Sequence, residues 1–180
     1  SIHKGTAMIN SISLEKDRFE KIIPLVAGTD FKIIALCMSD KGMPETTDER
    51  LDIAEKLVNE LTRNNVPLEN IYVDPLVQPV STNTNYGMAC LDAIEKIIKN
   101  LGCHTICGLS NISFGLPVRN LLNRTFVAMA IAKGLDAVII NPLDNLLTST
   151  VTASLSLSGQ DDFCMKYIKA YRAGRLTQQH

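Results

Sequence analysis

No excess of charge of either sign marks this chain of 180 residues: 18 lysines and arginines face 19 acidic residues, for a formal net charge of −1. The basic residues are scattered, so the electrostatic footprint of a nucleic-acid or anionic-membrane binder is missing and neither is expected as a partner. No apolar run is long enough to span a bilayer and no signal peptide is legible, which makes a cytoplasmic location the expectation. The cysteines are odd in number and fit no disulfide framework: Cys37, Cys90, Cys103, Cys107 and Cys164 sit in or near apolar stretches and read as reduced, buried thiols. Cys103-His104-Thr105-Ile106-Cys107 has the residue types of a metal site. Its side chains straddle a turn and a strand entry, and no second ligand pair follows, so no metal is expected. Histidine is scarce as well: His104 precedes a strand on its amino-terminal side, and His3 and His180 lie near the chain ends. That leaves no Ser/His/Asp or Cys/His arrangement for nucleophilic catalysis, and a reaction that orients a cofactor of its own reactivity fits better.

What is present is an ordinary globular composition, 46% apolar and 21% charged, enough for one domain with a real core over residues 1–180. Five apolar runs end abruptly in a polar residue: Ala7-Met8-Ile9-Asn10, Ile33-Ile34-Ala35-Leu36-Cys37-Met38-Ser39, Ile71-Tyr72-Val73-Asp74, Cys107-Gly108-Leu109-Ser110-Asn111 and Ala137-Val138-Ile139-Ile140-Asn141. Each reads as a buried strand emptying into a pocket. The intervals between positions 10, 39, 74, 111 and 141 are 29, 35, 37 and 30 residues, close to the roughly 31 residues of one βα unit in an eight-fold barrel.

Helical patterns fill the gaps. Phe19, Ile22, Ile23 and Val26 share one face, with Pro24 set to kink or shorten the helix. Leu51, Ala54, Val58 and Leu61 form the next stripe, stopped by Asn64-Asn65-Val66-Pro67. A third carries Leu91, Ile94, Ile98 and Leu101 and ends at Gly102, a fourth carries Leu122, Phe126 and Met129, and after Leu146 to Leu157 a last helix carries Phe163, Tyr167 and Tyr171. Strict alternation of helices with doubly apolar strands means a parallel sheet. A doubly wound sheet satisfies the same pattern, but no glycine-rich phosphate loop follows any strand and polar residues close all five, which favours the barrel.

Two readings stand for each polar strand end. Asp74, directly before Pro75, either caps its loop or accepts paired hydrogen bonds from an amino-amidine edge such as a pterin or guanine. Asn111 cannot titrate near neutrality; it orients a ligand or bonds its own turn. Asn10 and Asn141 follow the same argument, and Arg119 either meets an acidic ligand tail or is solvated.

Gly108-Leu109-Ser110-Asn111-Ile112-Ser113 followed by Arg119, Asn123-Arg124-Thr125, Ala128-Met129-Ala130 and Gly134-Leu135-Asp136-Ala137 closely resembles the pterin-binding methyltransferases. These are the methyltetrahydrofolate:corrinoid protein methyltransferases, kin to the folate domain of cobalamin-dependent methionine synthase. Ala7-Met8-Ile9-Asn10-Ser11 and Ile71-Tyr72-Val73-Asp74-Pro75-Leu76 match in the same order. The resemblance implies a (β/α)8 TIM barrel that moves a methyl group between N5 of tetrahydrofolate and the cobalt of a corrinoid (cobalamin) held by a partner protein, in either direction, with no directly bound metal. It implies pterin or folate contacts at Asn10, Asp74, Gly108, Ser110, Asn111, Arg119 and Asn141, and a homodimer when complete. Asn111 would bond near N5 and act catalytically, because a bond that strengthens as charge develops stabilises the transition state selectively. Phe114 departs from the polar residue some relatives carry there.

The matching begins at what would be the fourth barrel strand, and Ser1 stands where an initiator Met would be. The chain is therefore expected to carry about the last five βα units and to lack three at its amino terminus. Dihydropteroate synthase shares the fold and pocket and is the enzymatic alternative. Its Ser-Arg-Lys and Arg-x-His are replaced here by Ser110-Asn111-Ile112 and Ile140-Asn141-Pro142. A non-catalytic half-barrel that needs a partner chain is the other alternative.

Overall fold

A computed structural model describes residues 4–177; Ser1, His3 and His180 lie outside the described residues. Strand and helix alternate as β1 (Met8–Leu14), α1 (Lys16–Val26), β2 (Lys32–Ser39), α2 (Thr47–Arg63), β3 (Ile71–Asp74), α3 (Tyr86–Leu101), β4 (His104–Gly108), α4 (Arg119–Ala132), β5 (Ala137–Ile139), α5 (Asn145–Leu157) and α6 (Met165–Arg172). The five strands form one sheet in the order β1-β2-β3-β4-β5, and all four pairings are parallel. A parallel sheet laid down in sequence order with right-handed crossovers puts every helix on one face, whereas a doubly wound sheet reverses direction and covers both. The order therefore decides for the wall of a barrel, as read from the sequence.

Local chemistry fixes the helices. Thr46 and Glu49 close a reciprocal capping box at the start of α2, and Gly102 ends α3 in the left-handed conformation at φ 65°, which costs glycine no Cβ clash. Pro24 sits two residues from the end of α1, which stops at Val26. In α5 the hydroxyls of Thr148, Thr150, Thr152, Ser154 and Ser156 return to carbonyls four residues back, satisfying groups that would otherwise compete with the helix.

Side-chain alternation then sorts the sheet. Ile33, Ala35 and Cys37 of β2 and Ile71 and Val73 of β3 pack with Ala54, Leu57, Val58 and Leu61 of α2 in one core. Cys107 of β4 joins Leu91 and Ile94 of α3 and Phe126, Val127 and Ala130 of α4 in a second. The intervening residues, Lys32, Tyr72, Asp74, His104 and Gly108, thus face away from the helices, into the barrel. Near the amino end of that inner face, Lys32 Nζ donates to the Tyr72 hydroxyl at 3.2 Å. The Tyr72 ring stacks on His104 with centroids 4.7 Å apart, and His104 Nδ1 lies 3.3 Å from Asp136. Among the described residues β1 and β5 are the sheet's edges, and they leave Met8 39% and Ile139 44% exposed.

Three expectations need correction. β1 does not stop at Asn10 but continues to Leu14 through two register shifts, Asn10 pairing with Ile34, Ile12 with Ala35 and Leu14 with Ser39; a bulged strand carries a polar residue mid-course. Phe163 is not on the last helix. It precedes α6 in a 3₁₀ turn at φ 52° and is 94% exposed, because Asp161 takes the N-terminal N–H groups of Lys166 and Tyr167 and starts the helix two residues later. Cys164 is exposed rather than buried, while the other four cysteines are buried and all five are free. No helix among the described residues is long and apolar enough to cross a membrane.

Candidate functional site

The carboxyl ends of β3, β4 and β5 build the site. Asp74 is the last residue of β3 and is buried, 9% exposed. Its Oδ1 accepts from the backbone N–H of Leu76 at 2.9 Å, and the Gly108 N–H at the end of β4 also turns toward the carboxyl. Desolvation outweighs these two donors and raises the carboxyl to about 6. A carboxylate offers about four acceptor positions, so two backbone donors leave room for a ligand's paired N–H groups. The loop-capping reading of Asp74 is seen in the Leu76 bond, and the same carboxyl is a buried acceptor at the carboxyl end of β3.

Beyond Gly108 the chain tightens into a 3₁₀ turn over Leu109–Ser113, anchored by buried Leu109 and Ile112. Asn111 therefore sits on this turn rather than on a strand end, and it is exposed. The turn is held from α4. Arg119 Nε donates to Ser113 Oγ at 3.1 Å and its Nη2 to the Ser110 carbonyl at 2.7 Å, and Ser113 donates to Asn123 Oδ1 at 2.8 Å. Arg119 was expected on a loop, free to meet a ligand tail. It is instead the first residue of α4, and its guanidinium is spent on the turn and lies 5.9 Å from the Phe114 ring. Arg119→Ala is expected to lower stability by only about 1 kcal/mol, since the guanidinium is exposed. It should also loosen the turn, visible as faster amide exchange at Ile112 and Phe114; unchanged exchange there would show that the turn holds itself.

Ser110, Arg119 and Asn141 line one cavity of about 530 Å³ with Leu109, Asn123 and Leu147. Asn141 lies two residues past β5 and accepts from its own loop at the Leu143 N–H, 3.0 Å away, an Asx turn. The structure thus brings Asp74 to Gly108, and Ser110 to Arg119 and Asn141, with Asn111 on the turn between. Asn10 does not join them: it is exposed, two strands away, and its register partner Ile34 in turn pairs with Tyr72, two residues short of Asp74.

Two residues at this site escaped the sequence reading. Arg50 is fully buried and Gln78 is 5% exposed, both against the segment that follows Asp74. The legible signal was the stripe itself. The fully buried face of α2 is Arg50, Ala54, Leu57 and Leu61, spaced four, three and four apart, and an arginine in register with an apolar stripe requires acceptors behind it.

Residues 1–141 match the family described as pterin binding enzyme. The chain is 30% identical over 178 residues to the methylcorrinoid:tetrahydrofolate methyltransferase of Eubacterium limosum, covering 96% of this chain and 65% of that protein. It is 33% identical over 150 residues to the methionine synthase of Mycobacterium leprae (strain TN), covering 76% of this chain and 12% of that protein. The chain therefore spans less than two thirds of the relatives' own length. The solved structure of Mycobacterium tuberculosis Rv1207 superposes with a TM-score of 0.57 over 78% of this chain and 56% of that one, at 16% identity, and bears on the fold alone. Because the matched span carries all five strands and every residue of the site up to Asn141, this chain belongs to the pterin-binding enzyme family.

Proposed function

We propose that the protein is a methyltransferase working between N5 of a tetrahydrofolate and the cobalt of a corrinoid carried by a partner protein. The observation that carries this is Asp74, a buried acceptor at the carboxyl edge of the sheet beside the Ser110-Asn111 turn. Its remaining acceptor positions suit the N–H groups of an aminopyrimidine, and the likeness to a methylcorrinoid:tetrahydrofolate methyltransferase supports the methyl chemistry. The corrinoid supplies a cobalt that takes or gives the methyl group. The chain's own part is to hold the pterin by Asp74 and the Gly108–Ser110 backbone and to place the Asn111 amide near N5. Anaerobic mixing with methylcobalamin and tetrahydrofolate, followed at the cobalamin absorption bands, tests it; bands that do not change under any partner-loaded condition would sink the assignment.

A second part of the proposal concerns the sheet edges. Unpaired edge strands such as β1 and β5 are hazards in water, because their free backbone N–H and C=O groups template association. The active unit is therefore proposed to include a further wall of roughly three βα units, about 90 residues, whether covalent or from another chain, with a homodimer as its assembled form. Size-exclusion chromatography with light scattering beside the transfer assay is expected to show these 180 residues self-associated and inactive when alone; an active monodisperse monomer of this length would refute it.

A further inference from the structure

We infer that Arg50 is a positioning residue for Asp74: its guanidinium ties the segment after β3 to the start of α2 and thereby aims the Leu76 N–H at the Asp74 carboxyl. The inference rests on the reading of Asp74 as the pterin-binding group.

The geometry is a three-point clamp. Arg50 Nε donates to the Pro75 carbonyl at 2.9 Å, Nη1 to the Thr46 carbonyl at 3.0 Å and Nη2 to Gln78 Oε1 at 3.4 Å. The guanidinium carbon lies 6.0 Å from the Tyr86 ring at the start of α3. All three acceptors are neutral, although the side chain is fully buried. A buried cation held only by carbonyl and amide oxygens is costly to keep, so it marks a place where backbone geometry matters. That geometry is unusual: between the clamped Pro75 and Gln78, Leu76 stands at φ 63°, a left-handed conformation that disfavours a side chain with a Cβ. The same residue donates to Asp74. Without the clamp, Leu76 is free to relax to negative φ and its N–H to swing away.

The titratable groups that feel the Asp74 charge are the thiols of Cys37 on β2, Cys90 on α3 and Cys107 on β4, and the Arg50 charge on α2 reaches Cys37 and Cys90. Burial raises all three thiols, Cys90 to about 12, so Asp74 alone titrates there near neutrality. Losing the Leu76 donor removes an interaction that favours the ionised carboxylate and moves its titration upward. Lysine cannot replace the fork, because one ammonium does not reach the three separate acceptors that the guanidinium nitrogens meet.

The experiment compares wild type, Arg50→Lys, Arg50→Lys with Leu76→Gly, and Asp74→Asn in the folate-binding form of the protein. Tetrahydrofolate affinity is measured by calorimetry across about pH 5 to 8, and the Asp74 carboxyl is titrated by ¹³C NMR without ligand. Arg50→Lys is expected to weaken binding about tenfold and to move the Asp74 midpoint up. Adding Leu76→Gly, which removes the Cβ penalty at positive φ, is expected to restore most of both. A merely structural arginine would lower affinity or thermal stability without moving the midpoint, and its loss would not be relieved by glycine at position 76; that result overturns the inference. Should Asp74→Asn bind folate like wild type, the pterin reading falls, while the ligand-free titration still judges the clamp.

Discussion

Asn111→Ala is expected to slow single-turnover methyl transfer by about 100- to 1,000-fold while weakening tetrahydrofolate binding far less, in the range found when a single transition-state hydrogen-bond donor is removed. The expectation follows from where the amide sits. Asn111 is exposed on a 3₁₀ turn whose neighbours Leu109 and Ile112 are buried, so the backbone is anchored while the amide stays open to a ligand. An amide stays neutral across the working pH range and so cannot deliver a proton in the ordinary way. In the proposed reaction it would offer a bond that strengthens as charge changes on N5, and an interaction stronger at the barrier than in the ground state raises the rate rather than the affinity. Measured side by side, the transfer rate and the folate Kd separate the roles. Equal losses in both would make Asn111 a plain binding residue.

For Asp74→Asn the expected loss is in binding, on the order of 1–3 kcal/mol, because the shape is kept while an acceptor becomes a donor. Burial raises the carboxyl from 3.8 to about 6, so two pH effects follow with opposite signs. Folate binding by wild type should strengthen as pH rises through about 6, where the carboxylate forms. Stability of the ligand-free protein should do the reverse. Between about pH 4 and 6 the native state keeps a proton that the unfolded chain has already released, so stability falls as pH rises across that window and is flat above it, by on the order of 2–3 kcal/mol in all. The Asn variant should lack both slopes. Urea melts at the two ends of the window and calorimetric titration with folate check this; a variant with wild-type affinity and wild-type slopes would remove Asp74 from the site.

How far the sequence revealed this site can be followed residue by residue. The stripe of α3, the Gly102 stop and the run from Leu146 to Leu157 were visible because periodicity and capping act over one or two helical turns. Asp74 was found because β3 ends in it. Asn10 was misplaced within its strand because a bulge depends on the partner strand and leaves no local mark. Arg119 looked like a free cation because its acceptors, Ser113 Oγ and the Ser110 carbonyl, lie on the preceding turn and meet it only once the chain has doubled back. Arg50 was passed over for the same reason: two of its acceptors are at Pro75 and Gln78, 25 and 28 residues away.

The order of the strands carries a consequence for how the chain acquires its shape. Paired residues are close in sequence: Met8 meets Lys32, Ile33 meets Ile71, Tyr72 meets His104 and Ile106 meets Ala137, separations of 24, 38, 32 and 31 residues. Each new pairing closes a loop of one unit only, and the entropy of closure grows slowly with length. Parallel sheets are ordinarily slow to form because their partners are distant. Here a nascent chain leaving the ribosome can add each βα unit to the one just made, long before the last strand is synthesised.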